Sequence, residues 1–569
     1  DLFYSVRTAF SVVIASAALL VLQSAQAANI WDGGGADANW GTVNNWDNNA
    51  APSYGTLSFR GAVRPSSNNN SITNMNSLFF QSATAFTIGG NALNLFDNGG
   101  TQAKIENNGN TSINGSNPGI ITTGLATINL ATTFAANNGS PPNPFGEINA
   151  VTGDITFGSG TLTVNGSSVN GIKLFGGGHV VTFNNTVSAV GKWFGITTGG
   201  TGNTINIGGS FTSSDFYVMN DGTLNLNSGG SLTTSVRLGG DFGNTGNQNL
   251  TKSGTFNLTP ATGGVTFPGV VNSVTGNTSG TLAVNSQNTS GTNTLSGHIA
   301  LDSALKITQA AGGTLNFTQV KGGDNTTGTD IKARTLTFIP GAGATINHSG
   351  TIYNSTGSGA VAMNGAGTLN LTGTNTYTGA TTINTGTLQA SAAGALGGTS
   401  NVAINTGGTL LLINTGTTNR INNSATITMA GGTIAFSGNV TEGSSPGTGA
   451  LTLTANSIID FAGGNAVINF DNSSGTAWTG GTTLSIYNWD GLPAGNGNDQ
   501  VIFGIDNNAL TASQLAQVNF YSGNGSGFLG TATILSDGEL VPIPEPGAVF
   551  TTLGLLGLVG YRERRRRRP

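Results

Sequence analysis

The chain returns repeatedly to one short phrase, Gly-Thr-Leu followed by alternating polar and apolar residues, and that rhythm confines it to strands. Copies read Gly160-Thr161-Leu162-Thr163-Val164, Gly222-Thr223-Leu224-Asn225-Leu226, Gly280-Thr281-Leu282-Ala283-Val284, Gly313-Thr314-Leu315-Asn316-Phe317 and Gly367-Thr368-Leu369-Asn370-Leu371, with further starts at Gly386, Gly408 and Gly432. A period of two belongs to a strand with one buried face, so Leu369 and Leu371 are predicted to point inward and Thr368, Asn370 and Thr372 outward. Asn-Gly, Gly-Gly and Thr-Gly pairs between the phrases supply corners that need positive φ. The last four starts lie 19, 22 and 24 residues apart, a spacing that fits one coil of a solenoid better than one hairpin of a sandwich. The expected fold is all-β: a right-handed parallel β-helix with capping regions. An irregular chain of all-β sandwiches is the competing arrangement.

Composition agrees with a core made of strands. The 91 glycines in 569 residues disfavour helices, since each weakens a helix interior by about 1 kcal/mol. Cysteine is absent, which removes disulfides and thiol chemistry together. The net charge of −5 conceals an asymmetry: six arginines against Glu563 contribute +5 at the C-terminal end, leaving −10 on the rest. An acidic body with scattered cations is a poor partner for nucleic acid.

Both ends read as export signals. Arg7 precedes the apolar run Ala9 to Leu22, and Ser24-Ala25-Gln26-Ala27-Ala28 offers the small residues a signal peptidase accepts. A signal peptide is therefore expected over residues 1–28, the alternative being a retained membrane helix. At the other end Pro542, Pro544, Glu545 and Pro546 hold the chain extended; Gly547 to Tyr561 carries no charge, and Arg562, Arg564, Arg565, Arg566, Arg567 and Arg568 follow. As a short apolar helix the uncharged run would reach only ~22 Å, less than the ~30 Å hydrocarbon core, with the arginines kept on the cytoplasmic side.

The order Pro-Glu-Pro, apolar segment, arginine cluster resembles the PEP-CTERM sorting signal of exported proteins in Gram-negative bacteria. That resemblance implies recognition at Pro544, Glu545 and Pro546 by an exosortase-type processing enzyme, after transient inner-membrane anchoring; a permanent tail anchor is the alternative. The segment Gly365 to Leu388, with its Asn375-Thr376-Tyr377-Thr378-Gly379 corner, resembles the autotransporter-associated β-strand repeat. It implies a surface-exposed scaffold and brings no catalytic residues.

Trp31, Trp40 and Trp46 are expected to close the first coil, as an open solenoid end must be shielded from edge pairing; a sugar-stacking platform is the other reading. Near the far end, Asp460-Phe461, Leu484 to Trp489 and Asp499 to Phe503 read as strands. Leu510 to Val518 reads as one short helix opened by a capping box at Thr511 and Gln514. The expected organisation is a first cap with its coils over 29–150, repeats over 151–456, a second cap over 457–540 and the sorting signal over 541–569.

Little chemistry is visible. His179, His298 and His348 lie more than fifty residues apart without zinc spacing and are expected to be solitary surface or corner residues. Gly443-Ser444-Ser445-Pro446-Gly447 matches GxSxG, but Pro446 and the lack of a strand-turn-helix context argue against a nucleophile elbow. Asp154, Asp215, Asp221 and Asp241, with Lys173, Lys192 and Arg237 nearby, show no matched spacing; Asp221 is expected to complete a turn. The triplets Thr368-Asn370-Thr372 and Thr223-Asn225-Asn227 differ, which predicts no regular outward rank. No catalytic residue, metal site or cofactor is expected. The leading expectation is an exported cell-surface or matrix scaffold, structural or adhesive, with extracellular polysaccharide as a partner. The alternative is a carbohydrate-active β-helix enzyme, a lyase or hydrolase, or a glycan- or ice-binding protein.

Overall fold

The computed structural model describes residues 29–543 apart from 54, 98–101, 112–118, 120–121, 136–144, 166–168, 197–202, 220, 240–251, 261, 274–279, 320–327, 417–418, 444–446 and 463. Two compact units divide the chain, the first ending at Ser235 and the second taking Val236–Gly239 and everything from Leu250 onward, with Gly240–Asn249 assigned to the first. Stacked parallel strands build both, as the repeat rhythm predicts.

In the first unit each coil contributes strands to three faces. The first face stacks Thr56–Phe59, Ser77–Phe80, Lys104–Asn107, Phe145–Ala150 and Gly171–Gly176, all parallel. The second stacks Phe86–Gly90, Ala126–Ile128, Ile155–Phe157, Val180–Phe183, Thr204–Ile207 and Gly222–Leu226. The third stacks Leu93–Leu95, Thr132–Phe134 and Leu162–Val164. The parallel register brings equivalent residues of successive coils together, so Ile88, Ile128, Phe157, Phe183, Ile207 and Leu226 form one inward column, all buried. Burying each such side chain is worth about 1.5–3 kcal/mol, and a single coil holds too few to stand alone.

Trp31, Trp40 and Trp46 pack into the first coil rather than face solvent. All three are fully buried around Phe59, with Trp31 and Trp46 edge-on at 5.2 Å and Trp40 at 5.6 Å from Phe59. The Trp46 indole N–H donates to the Trp40 carbonyl (2.8 Å) and that of Trp40 to Ser67 Oγ (3.0 Å). Asp47 N–H meets the Ile30 carbonyl, which covers the outer edge of the first strand, Asn29–Trp31. Such burial rules out the sugar-stacking platform at these three residues.

In the second unit the third face narrows along the chain. Val271–Ser273, Ile299–Leu301, Thr329–Asp330 and Ile352–Tyr353 still pair there. In the next coil that place falls to the Asn375–Gly379 corner, which has no strand of its own. Asn375 holds three coils at once: its Oδ1 accepts from Ile352 N–H and its Nδ2 donates to Ala395 O, both at 2.7 Å. Tyr377 fills the space left inside, fully buried, with its hydroxyl 2.6 Å from Thr381 Oγ1; burial pushes that hydroxyl's pKa up. Tyr377→Phe should lower stability by about 1 kcal/mol, the usual worth of one such bond, read as a shift in the urea midpoint.

Leu369 and Leu371 are fully buried and Thr368 and Asn370 outward, as predicted. Gly386 pairs with Gly408 in register, so the 22-residue spacing of the phrase is one coil. Gly386 has φ +74° and a Cβ there would come within 2.2 Å of the Gly365 carbonyl, which explains why the phrase opens on glycine.

The far end closes differently. The predicted helix is the single turn Ala512–Leu515, opened by the capping box: Gln514 N–H donates to Thr511 Oγ1 (3.2 Å) and Thr511 N–H to Gln514 Oε1 (2.7 Å). Val518–Tyr521, Phe528–Ile534 and Leu540–Ile543 then pair antiparallel, which ends the propagation of parallel edges. Pro542, grouped from sequence with the proline-rich start of the sorting segment, instead lies buried in this last strand. The predicted signal peptide and short apolar C-terminal helix lie outside the described residues, and among those described no helix is long and apolar enough to cross a membrane.

Candidate functional site

With the interior given to packing, any function of the described residues falls to their outward surfaces. On one face of the second unit Thr292, Thr314, Thr345, Thr368, Thr387, Thr409 and Thr433 stand in register on successive strands, about 4.8 Å apart. Beside them Asn370 Nδ2 donates to Asn347 Oδ1 (3.2 Å) and Asn347 Nδ2 to Asn316 Oδ1 (2.9 Å). A second ladder runs from Asn405 to Asn384 to Asn364, each bond 2.6 Å. The threonine column corrects the expectation of no regular rank; the next outward column does vary, running Asn316, Asn347, Asn370, Gln389, Leu411 and Ala435. Thr223 and Thr368 share a phrase but belong to different units, on strands that do not pair.

Charge gathers on the first face of the first unit. Register sets Lys104 beside Glu147 and Glu147 beside Lys173, with Glu106 beside Asn149. Lys104 Nζ lies 3.4 Å from Glu147 Oε2 and 3.7 Å from Glu106 Oε2. Asn149 Nδ2 reaches both carboxylates, at 3.2 Å to Glu106 and 3.3 Å to Glu147. Glu106 is buried, and its Oε1 also accepts from Asn108 Nδ2 and the Thr111 hydroxyl. Every Glu106 oxygen therefore already faces a donor from its own chain, an arrangement suited to fixing the surface. Next to this network Phe145 and Trp193 meet at 4.6 Å, Trp193 and Tyr217 at 6.1 Å, and Lys173 Nζ sits 4.7 Å from the centre of the Phe145 ring.

Of the residues singled out from sequence, Lys173 belongs to this cluster, and Asp215 is in register with Trp193. Asp154 accepts from His179 Nδ1 (3.2 Å) and Val180 N–H (2.9 Å) at a corner of another face. Asp221 has φ +61° immediately before Gly222 and makes the turn expected of it. Lys192 lies in the irregular stretch between Ala189 and Trp193, and Arg237 on the strand Ser231–Leu238. Asp241 lies outside the described residues, as do Ser445, Pro544, Glu545, Pro546 and the arginines from 562 onward. The strand Leu451–Ala455, rather than a helix, follows Gly447, so the elbow context is missing.

His179 fits its expectation as a corner residue, but His348 does not. It is fully buried in an inward column between Phe317 and Leu371, stacked on Phe317 at 5.2 Å. His298 is buried too. Sequence reasoning also missed Arg420 and Glu442, both fully buried and 3.5 Å apart. Among the described residues no group of three or more His, Asp or Glu side chains is placed to hold a metal ion.

No curated protein and no solved structure matches the chain. A family model described as the passenger-associated-transport-repeat matches residues 362–390. That segment spans the second half of Ala360–Met363, then Thr368–Leu371, the Asn375–Gly379 corner, Thr381–Ile383 and Gly386–Ala390. Residues 362–390 are therefore similar to the autotransporter-associated β-strand repeat.

Proposed function

We propose that this chain is an exported repeat scaffold of the cell surface or extracellular matrix in a Gram-negative bacterium, delivered through its C-terminal sorting segment. The observation that carries the reading is the coil over 362–390, which matches the passenger repeat and stacks in register with its neighbours on both sides. The polar ranks support it, because outward amides bonded to one another from coil to coil stiffen the array. In sequence the Pro544-Glu545-Pro546 site directly follows the last strand, Leu540–Ile543, and there a processing enzyme of the exosortase type would act. Ahead of that cut, the apolar run would hold the chain in the inner membrane with its arginines on the cytoplasmic side. Replacing Pro544 and Glu545 with alanine should leave uncleaved protein in the membrane fraction, measured by fractionation and blotting. Unchanged processing and release would overturn the sorting assignment.

A further inference from the structure

The aromatic rings beside the Lys104–Glu147 network are laid out as a platform, and the register explains how. Phe145, Gly171, Trp193 and Asp215 occupy one outward row on successive strands, and Glu147, Lys173, Gly195 and Tyr217 the next. At Gly171 a Cβ would come within 2.8 Å of the Trp193 indole carbons. The indole thus lies across the glycine and reaches Phe145 on the strand beyond, 4.6 Å between centres. Gly195 separates Lys173 from Tyr217 in the same way. All three rings are partly exposed. A row of part-exposed rings reclining on a rigid sheet is a stacking surface, and it is edged by groups that exchange hydrogen bonds.

We propose that this face of the first unit binds a neutral polysaccharide, with Trp193 as the central stacking residue, Phe145 and Tyr217 on either side, and Glu147 and Lys173 bonding to hydroxyls. Three observations fix the ligand class. Lysines and carboxylates alternate and pair, as in Lys104 with Glu147 at 3.4 Å, so the surface offers no single-sign field to a polyanion. Glu147 and Glu106 would repel the phosphate backbone of a nucleic acid whose bases could stack on the rings. The rings are interleaved with charged and glycine positions and do not form the continuous apolar core of a protein interface. A pyranose offers the matching pair of surfaces, an apolar C–H face for an indole and a rim of hydroxyls. The inference is independent of the export route, since it rests on the first unit alone.

Affinity gel electrophoresis of the full chain tests it, with hydroxyethylcellulose, glucomannan and xyloglucan as neutral probes and alginate and heparin as anionic ones. Retardation by at least one neutral polysaccharide is expected. Trp193→Ala should weaken it by about ten-fold or more, the effect of removing a central aromatic anchor. Trp193→Phe, which keeps a ring, should retain a substantial part. A thermal melt of Trp193→Ala matching the parent separates lost binding from lost folding, and Tyr217→Ala serves as the second variant should that melt be altered. Retardation by the anionic probes alone, by none of the neutral ones, or equally in the parent and the folded Trp193→Ala or Tyr217→Ala variant would overturn the proposal.

Discussion

Glu442→Ala is expected to destabilise the second unit by about 3–5 kcal/mol, the cost of leaving a buried charge without its partner. Arg420 and Glu442 are both fully buried, and the guanidinium Nη1 lies 3.5 Å from Glu442 Oε2. The carboxylate does more than balance charge. Its Oε2 accepts from Arg420 N–H (3.0 Å) and its Oε1 from Ile421 N–H (2.8 Å). One coil earlier, Leu396 N–H is satisfied by the Arg420 carbonyl at 2.7 Å; Glu442 thus serves at this corner as the backbone acceptor of the next coil. Arg420 is anchored separately through Nε to the Ile413 carbonyl (2.7 Å), so it cannot readily turn to solvent when its partner goes. Burial pushes the Glu442 carboxyl's pKa up, while those two N–H groups and the guanidinium pull it down. Alanine would strand two backbone donors as well as the guanidinium. The double replacement Arg420→Met with Glu442→Leu should cost less than Glu442→Ala, since it removes both charges together. Urea midpoints of the three proteins check this, and a double variant less stable than Glu442→Ala would contradict it.

The second large effect is on pH dependence. His348 is fully buried, with Nδ1 3.0 Å from the Gly350 carbonyl and Nε2 3.0 Å from the Thr329 hydroxyl. These partners assign a neutral ring that donates from Nδ1 and accepts at Nε2. Burial lowers its pKa from 6.5 to about 4. Between those values the unfolded chain takes up a proton that the folded chain refuses, so the stabilisation is complete above pH 6.5 and is lost as pH falls toward 4. The whole shift corresponds to ~3 kcal/mol. Asp471, Asp499 and Glu539, raised by burial, act in the opposite sense: their contribution is present at low pH and is lost as pH rises through their folded values. The parent alone would therefore report a mixture. His348→Leu isolates the imidazole, because the equivalent position one coil on is Leu371. Relative to this variant the parent should lose ~3 kcal/mol on going from pH 7 to 4, measured by urea denaturation across that range. A difference that stays constant with pH would show that His348 does not titrate in this way.

Much of this fold was legible because a solenoid repeats its instructions. The alternation at Leu369 and Leu371, the coil lengths from Gly367 to Gly432 and the capping box at Thr511 each needed only neighbouring residues. What stayed hidden depends on how successive coils align. Ile105 stands against Ile148, 43 residues later, and Ile148 against Leu174, 26 residues later. With such unequal coils no fixed period could bring Lys104, Glu106, Glu147 and Lys173 together on paper. The aromatic platform is hidden for the same reason, since Phe145 and Trp193 meet across an intervening coil. His348 was within reach: Thr345-Ile346-Asn347-His348 keeps the alternation of Thr368-Leu369-Asn370-Leu371, which places the imidazole where a leucine would be. Chemical type argued for a surface or corner position and register placed it in the core. The same ambiguity applied to the three tryptophans, where burial settled the cap over the platform.

Export to the surface is the claim on which the proposed function stands, and one experiment addresses it directly. Intact cells producing the full chain can be labelled with a membrane-impermeant biotin reagent, and the labelled protein recovered and its termini read by mass spectrometry. The expected product is labelled and begins near Ala28. It has also lost the apolar and arginine segments that follow Pro546. Unlabelled protein found inside the cell, with residues 1–28 and 547–569 still attached, would contradict it.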